Sequence, residues 1–219
     1  MKKILSFDVG IKNLAYCLLC SDNKSILDWG ILNISIDPVC DHKSCDKSAS
    51  KCDKDGFKLC TSHSKLKMYS DKKLKNIKKI DNHMFHMGKQ IIKKLDEKEN
   101  FSEVDIVCIE NQPALKNPTM KSVQMIIYSY FLMKSKINDI QMINARNKLK
   151  VYSGPKIECN IKETYKKNKF LAIKYCDYMI RDNKEIDKKY HDLYDNSKKK
   201  DDLSDSYLQG IYYIDKLKY

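Results

Sequence analysis

The sequence predicts an α/β protein: a mixed five-stranded sheet flanked by helices on both faces, with one small insertion. Three observations carry this reading. Short runs rich in leucine, isoleucine and aromatics alternate with longer stretches of helical apolar spacing, in the order βββ–insert–α–β–α–β–α–α. Two of the strand-like runs, Ile4 to Asp8 and Val104 to Glu110, close on a carboxylate that turn or polar residues follow. The 28 residues from Asp37 to Ser64 lose the apolar period and carry four cysteines and two histidines instead.

Taken in order, Ile4, Leu5 and Phe7 are β-formers in a run too short for a helix. Asp8 ends that strand, Gly10 turns the chain, and Leu14 to Leu19 heads away. After a turn at Asp22-Asn23-Lys24, Ile26 to Ile34 is a third strand, so the first three strands form an antiparallel meander. Beyond the insertion, Tyr69 to Leu95 is expected as one long helix, with Leu74, Ile77, Ile80, Met84, Met87, Ile91 and Leu95 at helical spacing. His83 and His86 lie near that stripe and read as structural histidines. Val104 to Glu110 is a buried, parallel strand. Pro113 and Pro118 hold off helix until about Thr119. Met120 to Lys134 is a helix apolar on most sides, which means core or a dimer seam. Ile140 to Ile143 is the fifth strand.

Arg146 to Asn160 reads as an irregular basic loop containing Tyr152 and Gly154, either placed to meet nucleic acid or simply solvated. Ile161 to Ile180 is a helix that turns Phe170, Ile173, Cys176 and Tyr178 or Met179 inward. Asp182 to Lys200 is polar and is expected to be mobile. In the final helix, Asp202 and Asp205 stand three apart and so share one face.

A carboxylate at a strand end beside a glycine turn sits at a sheet rim, where it is either a solvated turn residue or a ligand. An acid at a helix N-terminus is by itself a cap or a dipole partner. Together, however, Asp8, Glu110, Asp202 and Asp205 form a set that can hold two Mg²⁺ ions for in-line phosphodiester hydrolysis. Four carboxylates in one pocket repel each other without cations, so metal belongs to the expectation. Asp201 competes with Asp202 for the role, and the i, i+3 spacing to Asp205 favours Asp202.

The chain has 219 residues, long enough for a real core, and a net charge of +13 from 42 Lys and Arg against 29 Asp and Glu. Arg146 and Arg181 are the only arginines, so the excess is lysine, which suits sequence-tolerant phosphate contacts better than base readout. A lysine-biased genome would give the same composition. No run approaches the ~18 apolar residues of a membrane span, and Asp8 and Lys12 interrupt the leader-like start MKKILSF. The nine cysteines are therefore expected in an intracellular, reducing compartment. Cys17, Cys20, Cys108 and Cys176 fall in apolar runs and read as core; Cys159 has no assigned role. In the insertion, Cys40-x4-Cys45 and Cys60-x2-His63, 14 residues apart, have the spacing of a structural Zn²⁺ knuckle. Cys52 and His42 are rival ligands that spacing does not exclude.

FDVGIKN, CIENQP and DDLSDSYLQ in combination resemble the three acidic motifs of RuvC-type Holliday junction resolvases, within the RNase H-like superfamily. The likeness is strongest to the resolvases of poxviruses and other large nucleocytoplasmic DNA viruses, and runs from Lys2 to about Tyr213 apart from the insertion. It implies one RNase H-like nuclease domain over 1–219 with the Cys/His insertion at 37–64. It also implies a structure-selective endonuclease that resolves four-way DNA junctions as a homodimer, with two Mg²⁺ (Mn²⁺ as a substitute) on Asp8, Glu110, Asp202 and Asp205. The expected DNA contacts are Lys12, Asn13, Gln112, Lys116, Lys121, Arg146, Lys148, Lys198, Lys199 and Lys200. For a viral member the place of action would be the host cytoplasm or a virus factory. Two alternatives stand beside it. An RNase H-type nuclease on RNA–DNA hybrids would use the same acids; a non-enzymatic zinc-containing DNA-binding protein would leave them unexplained. FDVGIKN also resembles a sugar-kinase phosphate loop, but the six scattered glycines supply no second such loop.

Overall fold

The computed structural model describes residues 1–78, 81, 83–134 and 137–217. In chain order these form β1 (Lys3–Val9), β2 (Asn13–Cys20), β3 (Ile26–Asn33) and three two-residue strands, β4 (Lys51–Cys52), β5 (Lys58–Leu59) and β6 (Lys75–Asn76). Then follow α1 (His83–Asp96), β7 (Ile106–Glu110), α2 (Pro118–Lys134), β8 (Asp139–Ile143), α3 (Thr164–Asp182), α4 (Lys188–Asn196) and α5 (Lys200–Lys216). Two compact units result: Met1–Ile34 with Gly88–Tyr219, and Ser35–Met87. Among the described residues no helix is long and apolar enough to cross a membrane.

In the larger unit the sheet runs β3-β2-β1-β7-β8. The β1–β2 and β2–β3 pairs are antiparallel, as the short turns require; β1–β7 and β7–β8 are parallel, joined through crossovers. Gly10 is needed in the first turn, since a Cβ there would lie 2.5 Å from the Asn13 carbonyl oxygen. Side chains alternate across a strand, so β1 sends Leu5 and Phe7 to one face and Ile4, Ser6 and Asp8 to the other. On the first face Phe7 meets Phe101 and Phe131, at ring centroid separations of 5.8 and 5.7 Å. On the second, Ile4 joins Ile106, Cys108 and residues of α3, α4 and α5 in one buried cluster. Because Phe7 pairs with Ile109 in the parallel register, Glu110 follows the same alternation as Asp8 and emerges beside it.

Helix α5 lies on that second face and is buried along most of its length, including Leu203, Tyr207, Leu208, Ile211 and Ile214. Gln209 fixes its position. Its Nε2 donates to Ser6 Oγ and the Phe7 carbonyl, both at 3.0 Å, and reaches the Cys108 carbonyl at 3.4 Å. One amide thus ties α5 to β1 and β7 just behind the two acids, and Asp205, one turn earlier on the helix, is carried over the strand ends.

The segment expected to be mobile, 182–200, contains α4. Its sequence is polar, but Tyr190 and Tyr194 at i, i+4 give it one apolar face, and both are buried. Tyr194 stacks on Trp29 at 5.4 Å and donates to the Ile173 carbonyl, while Asp187 caps the helix at the Lys189 N–H. The expected basic loop from Arg146 begins as a 3-10 turn, Ala145–Val151. The long helix expected from Tyr69 also starts late, at His83. Ahead of it, Tyr69 and Leu74 pack into the smaller unit instead of forming a helical stripe, and Lys75–Asn76 pairs with β4. Ile80 lies outside the described residues.

The smaller unit is therefore longer than the insertion 37–64. It has a three-stranded sheet, β5-β4-β6, over a small core of Cys40, Leu59 and Cys60, and so few apolar residues oblige it to recruit Tyr69 and Leu74. Gln209→Leu should leave two carbonyls and Ser6 without their donor, at a cost of about 1–3 kcal/mol. For a chain of this size thermal denaturation should shift down by roughly 3–8 °C; an unchanged midpoint would show that the amide does not hold the helix.

Candidate active site

Asp8 from β1, Glu110 from β7 and Asp205 from α5 meet at one end of the sheet, around the ammonium group of Lys148. Lys148 Nζ lies 2.5 Å from Asp205 Oδ2 and 3.7 Å from Glu110 Oε1, and all three side chains are less than one-fifth exposed. The 3-10 turn Ala145–Val151 delivers this lysine, expected as a DNA contact, among the acids, where it is their internal counter-ion. Burial, then the charges of Asp205 and Glu110, push the Asp8 carboxyl well above the usual carboxylate range, with Lys148 opposing. Burial also raises Asp205, to about 6, against the pull of Lys148. Burial lowers the affinity of Lys148 for its proton, but the surrounding acids outweigh it and hold the lysine charged.

Glu110 is oriented from behind. Gln112 Nε2 donates to Glu110 Oε2 at 2.8 Å, and the Gln112 backbone N–H is held by the Oε1 of buried Gln124 at 2.8 Å. Lys121 Nζ bridges Gln124 Oε1 and Asn111 Oδ1, both at 3.2 Å. Gln112, expected as a DNA contact, is only 8% exposed and supports the acid. No pattern in the sequence marked Gln124, because a single glutamine in an apolar helix looks like an exposed position.

The two adjacent acids of α5 separate clearly. Lys169 Nζ pairs with Asp201 Oδ2 at 2.7 Å; burial opposes ionisation of Asp201, yet Lys169 outweighs it and keeps the group below the ordinary range. Asp202 is raised by burial and then by the charge of Asp201, and its nearest cation is Lys199 at 4.0 Å. Lys200 turns toward Asp195 and the Tyr194 ring, whereas Lys116, Arg146 and Lys198 are exposed. Lys12 and Asn13 are half-buried at the β1–β2 turn.

In the smaller unit the ligand atoms of Cys40, Cys45, Cys60 and His63 all lie within 4.8 Å of one another. Cys40 Sγ is 3.5 Å from His63 Nδ1, and the His63 backbone N–H donates to Cys60 Sγ, drawing that thiol below its usual range. Neither rival belongs to this set: the His42 ring lies 3.8 Å from the His63 ring, tilted by 38°, with Nδ1 at the Tyr69 hydroxyl, and Cys52 is in β4. Three thiols and an imidazole form a donor set suited to a tetrahedral, thiophilic cation.

Comparisons with known proteins agree with this geometry. Residues 4–114 match the family model described as mitochondrial resolvase Ydc2 / RNA splicing MRS1. Protein L451 of Acanthamoeba polyphaga mimivirus is 30% identical over a 316-residue alignment that covers 97% of this chain and 74% of that protein. Among solved structures, the Fowlpox virus resolvase, in complex with substrate Holliday junction DNA, superposes with a TM-score of 0.53 at 18% identity, covering 98% of both chains. The yeast mitochondrial Holliday junction resolvase Ydc2 gives 0.53 at 15% identity, covering 99% of this chain and 82% of that one. The fold is therefore the RNase H-like fold of these resolvases.

The raised Asp205 carboxyl has a consequence for stability. Its folded pKa of about 6 exceeds the ordinary aspartate value near 4, so between those values the native state binds more proton than the unfolded chain. Stability should rise on acidification through that window, with the full penalty present above about pH 6. In metal-free buffer the denaturation midpoint should climb by a few degrees between about pH 7 and 5.5, and the climb should shrink in Asp205→Asn. A wild-type midpoint that falls over this range would contradict the assignment.

Proposed function

The chain belongs to the family of the mitochondrial resolvase Ydc2 and the RNA-splicing protein MRS1, and on that basis we propose that it is an endonuclease that resolves Holliday junctions. The convergence of Asp8, Glu110 and Asp205 at one sheet end, in a chain of this family, carries the reading. The all-carboxylate donor set, with two acids raised by burial and then by neighbouring negative charge, fits hard divalent cations. Asp8, Glu110, Asp202 and Asp205 would hold two Mg²⁺ ions, or Mn²⁺ in their place, which supply Lewis acidity to the attacking water and the leaving 3′-oxygen.

The chain's own residues set up that chemistry. Gln112 and Gln124 aim Glu110; Gln209 holds Asp205 over the strand ends; Lys169 already neutralises Asp201, which favours Asp202 as the fourth ligand in this reading. Lys148 offers positive charge to a scissile phosphate while it restrains Asp205 and Glu110. In this reading Lys12, Asn13, Lys116, Arg146 and Lys198 would meet phosphates around the site. A four-way junction has two-fold symmetry, so the working form is a C2 dimer that nicks two opposed strands, leaving 5′-phosphate and 3′-hydroxyl ends. Because the family description also includes RNA splicing, RNA-containing branched substrates belong in the same assay.

On a labelled junction, Asp8→Asn or Glu110→Gln should lower cleavage by about three orders of magnitude or more while binding persists, since charge leaves with little change of shape. Asp201→Asn should act far more weakly than Asp202→Asn. A cutting Asp8→Asn protein, or a wild type that nicks only RNA in hybrids, would end the resolvase reading.

We also propose that Cys40, Cys45, Cys60 and His63 bind one structural Zn²⁺. Elemental analysis should find one zinc per chain, and Cys45→Ser should lose it together with the protection of 35–87 against proteolysis. Metal-free protein with that segment still protected would refute the site.

A further inference from the structure

Residues 152–160 and one face of α3 line a cleft of about 660 Å³ that the proposed reaction does not use. Lys167, Leu171 and Tyr175 line it at i, i+4 and i+8 of the helix, and Tyr152 and Lys156 face them from the loop. Tyr152 and Tyr175 are parallel, with ring centroids 3.9 Å apart and an interplanar angle of 3°, so the wall is aromatic. The loop is held in shape. Tyr152 donates its hydroxyl to the Pro155 carbonyl at 2.8 Å, and a Cβ at Gly154 would come within 2.7 Å of Tyr152 Oη and of Tyr178 Cε1. A built aromatic wall flanked by exposed lysines, with an amide and a carboxylate from Asn160 and Glu158 at its edge, has the chemistry of nucleotide recognition.

We infer that this cleft binds one unpaired nucleotide of the DNA strand that runs through the acid pocket, its base against the tyrosines and its phosphate between Lys156 and Lys167. Continuity supports the path. The 3-10 turn that supplies Lys148 to the acids ends at Val151 and leads straight into Tyr152 of the cleft. Four residues of chain span at most about 14 Å, so the backbones of Lys148 and Tyr152 lie within that distance of each other. The inference rests on the nuclease reading for the origin of that strand, and a branch point is where a base is most easily unstacked.

The probe is an oligodeoxythymidylate carrying a single 5-iodouracil, irradiated with the intact wild-type protein, with the crosslinked peptide identified by mass spectrometry. The crosslink should fall on the peptide containing Tyr152 or on that containing Tyr175. Lys156→Ala with Lys167→Ala, both exposed and dispensable for folding, should flatten the log–log salt dependence by about 1.4 and weaken binding about ten- to thirty-fold near 0.1 M salt. A crosslink elsewhere, with the double variant binding like wild type, overturns the inference. So does a lysine effect without any tyrosine crosslink, which would leave a backbone contact only. Junction cleavage measured in parallel separates the two readings: an uncut junction with the crosslink retained removes the resolvase assignment and keeps the cleft, whereas a cut junction without the crosslink removes the cleft alone.

Discussion

Like charges brought together at the end of a sheet need a cation among them, and much of this molecule follows from that need. Asp8 and Glu110 are neighbours because two parallel strands place them in register, and Asp205 is added by a helix that the core pins to the same face. Without compensation the three would repel or take up protons. Lys148 supplies the charge, 2.5 Å from one acid and within reach of another. The lysine can move, being a single ammonium on a flexible stem, whereas the acids are fixed by backbone and by glutamines. The pocket is thus built to accept positive charge and to keep its shape while the identity of that charge changes.

Much of this was legible in the sequence because the governing rules are local. Period-two alternation in FDVGIKN and CIE is enough to bring Asp8 and Glu110 to one place once the strand order is known. The Cys/His set was legible for the same reason, as spacing within short turns. What escaped was whatever depends on contacts distant in the chain. Lys148 looked like one more basic loop residue, since nothing nearby announces that three acids will surround it. Gln209 and Gln124 carry no local signal of their role, and they are buried because their partners lie on other elements. Helix α4 was masked by its charge, and two tyrosines one turn apart outweighed that charge once Trp29 offered a flat surface to stack on. The helix expected from Tyr69 failed in the opposite sense: apolar spacing was present, but a unit short of core residues drew Tyr69 and Leu74 away.

The amide of Gln209 also bears on the order in which the molecule is assembled. Its hydrogen bonds span 203, 202 and 101 residues of sequence, so they are among the least local interactions the chain makes. Contacts of that kind close large loops and form after the local hairpin of β1 and β2. Asp8 and Glu110 meet when β1 and β7 pair, and Asp205 joins them only when α5 docks. An opening of α5 alone therefore takes one acid out of the pocket while the sheet stays whole.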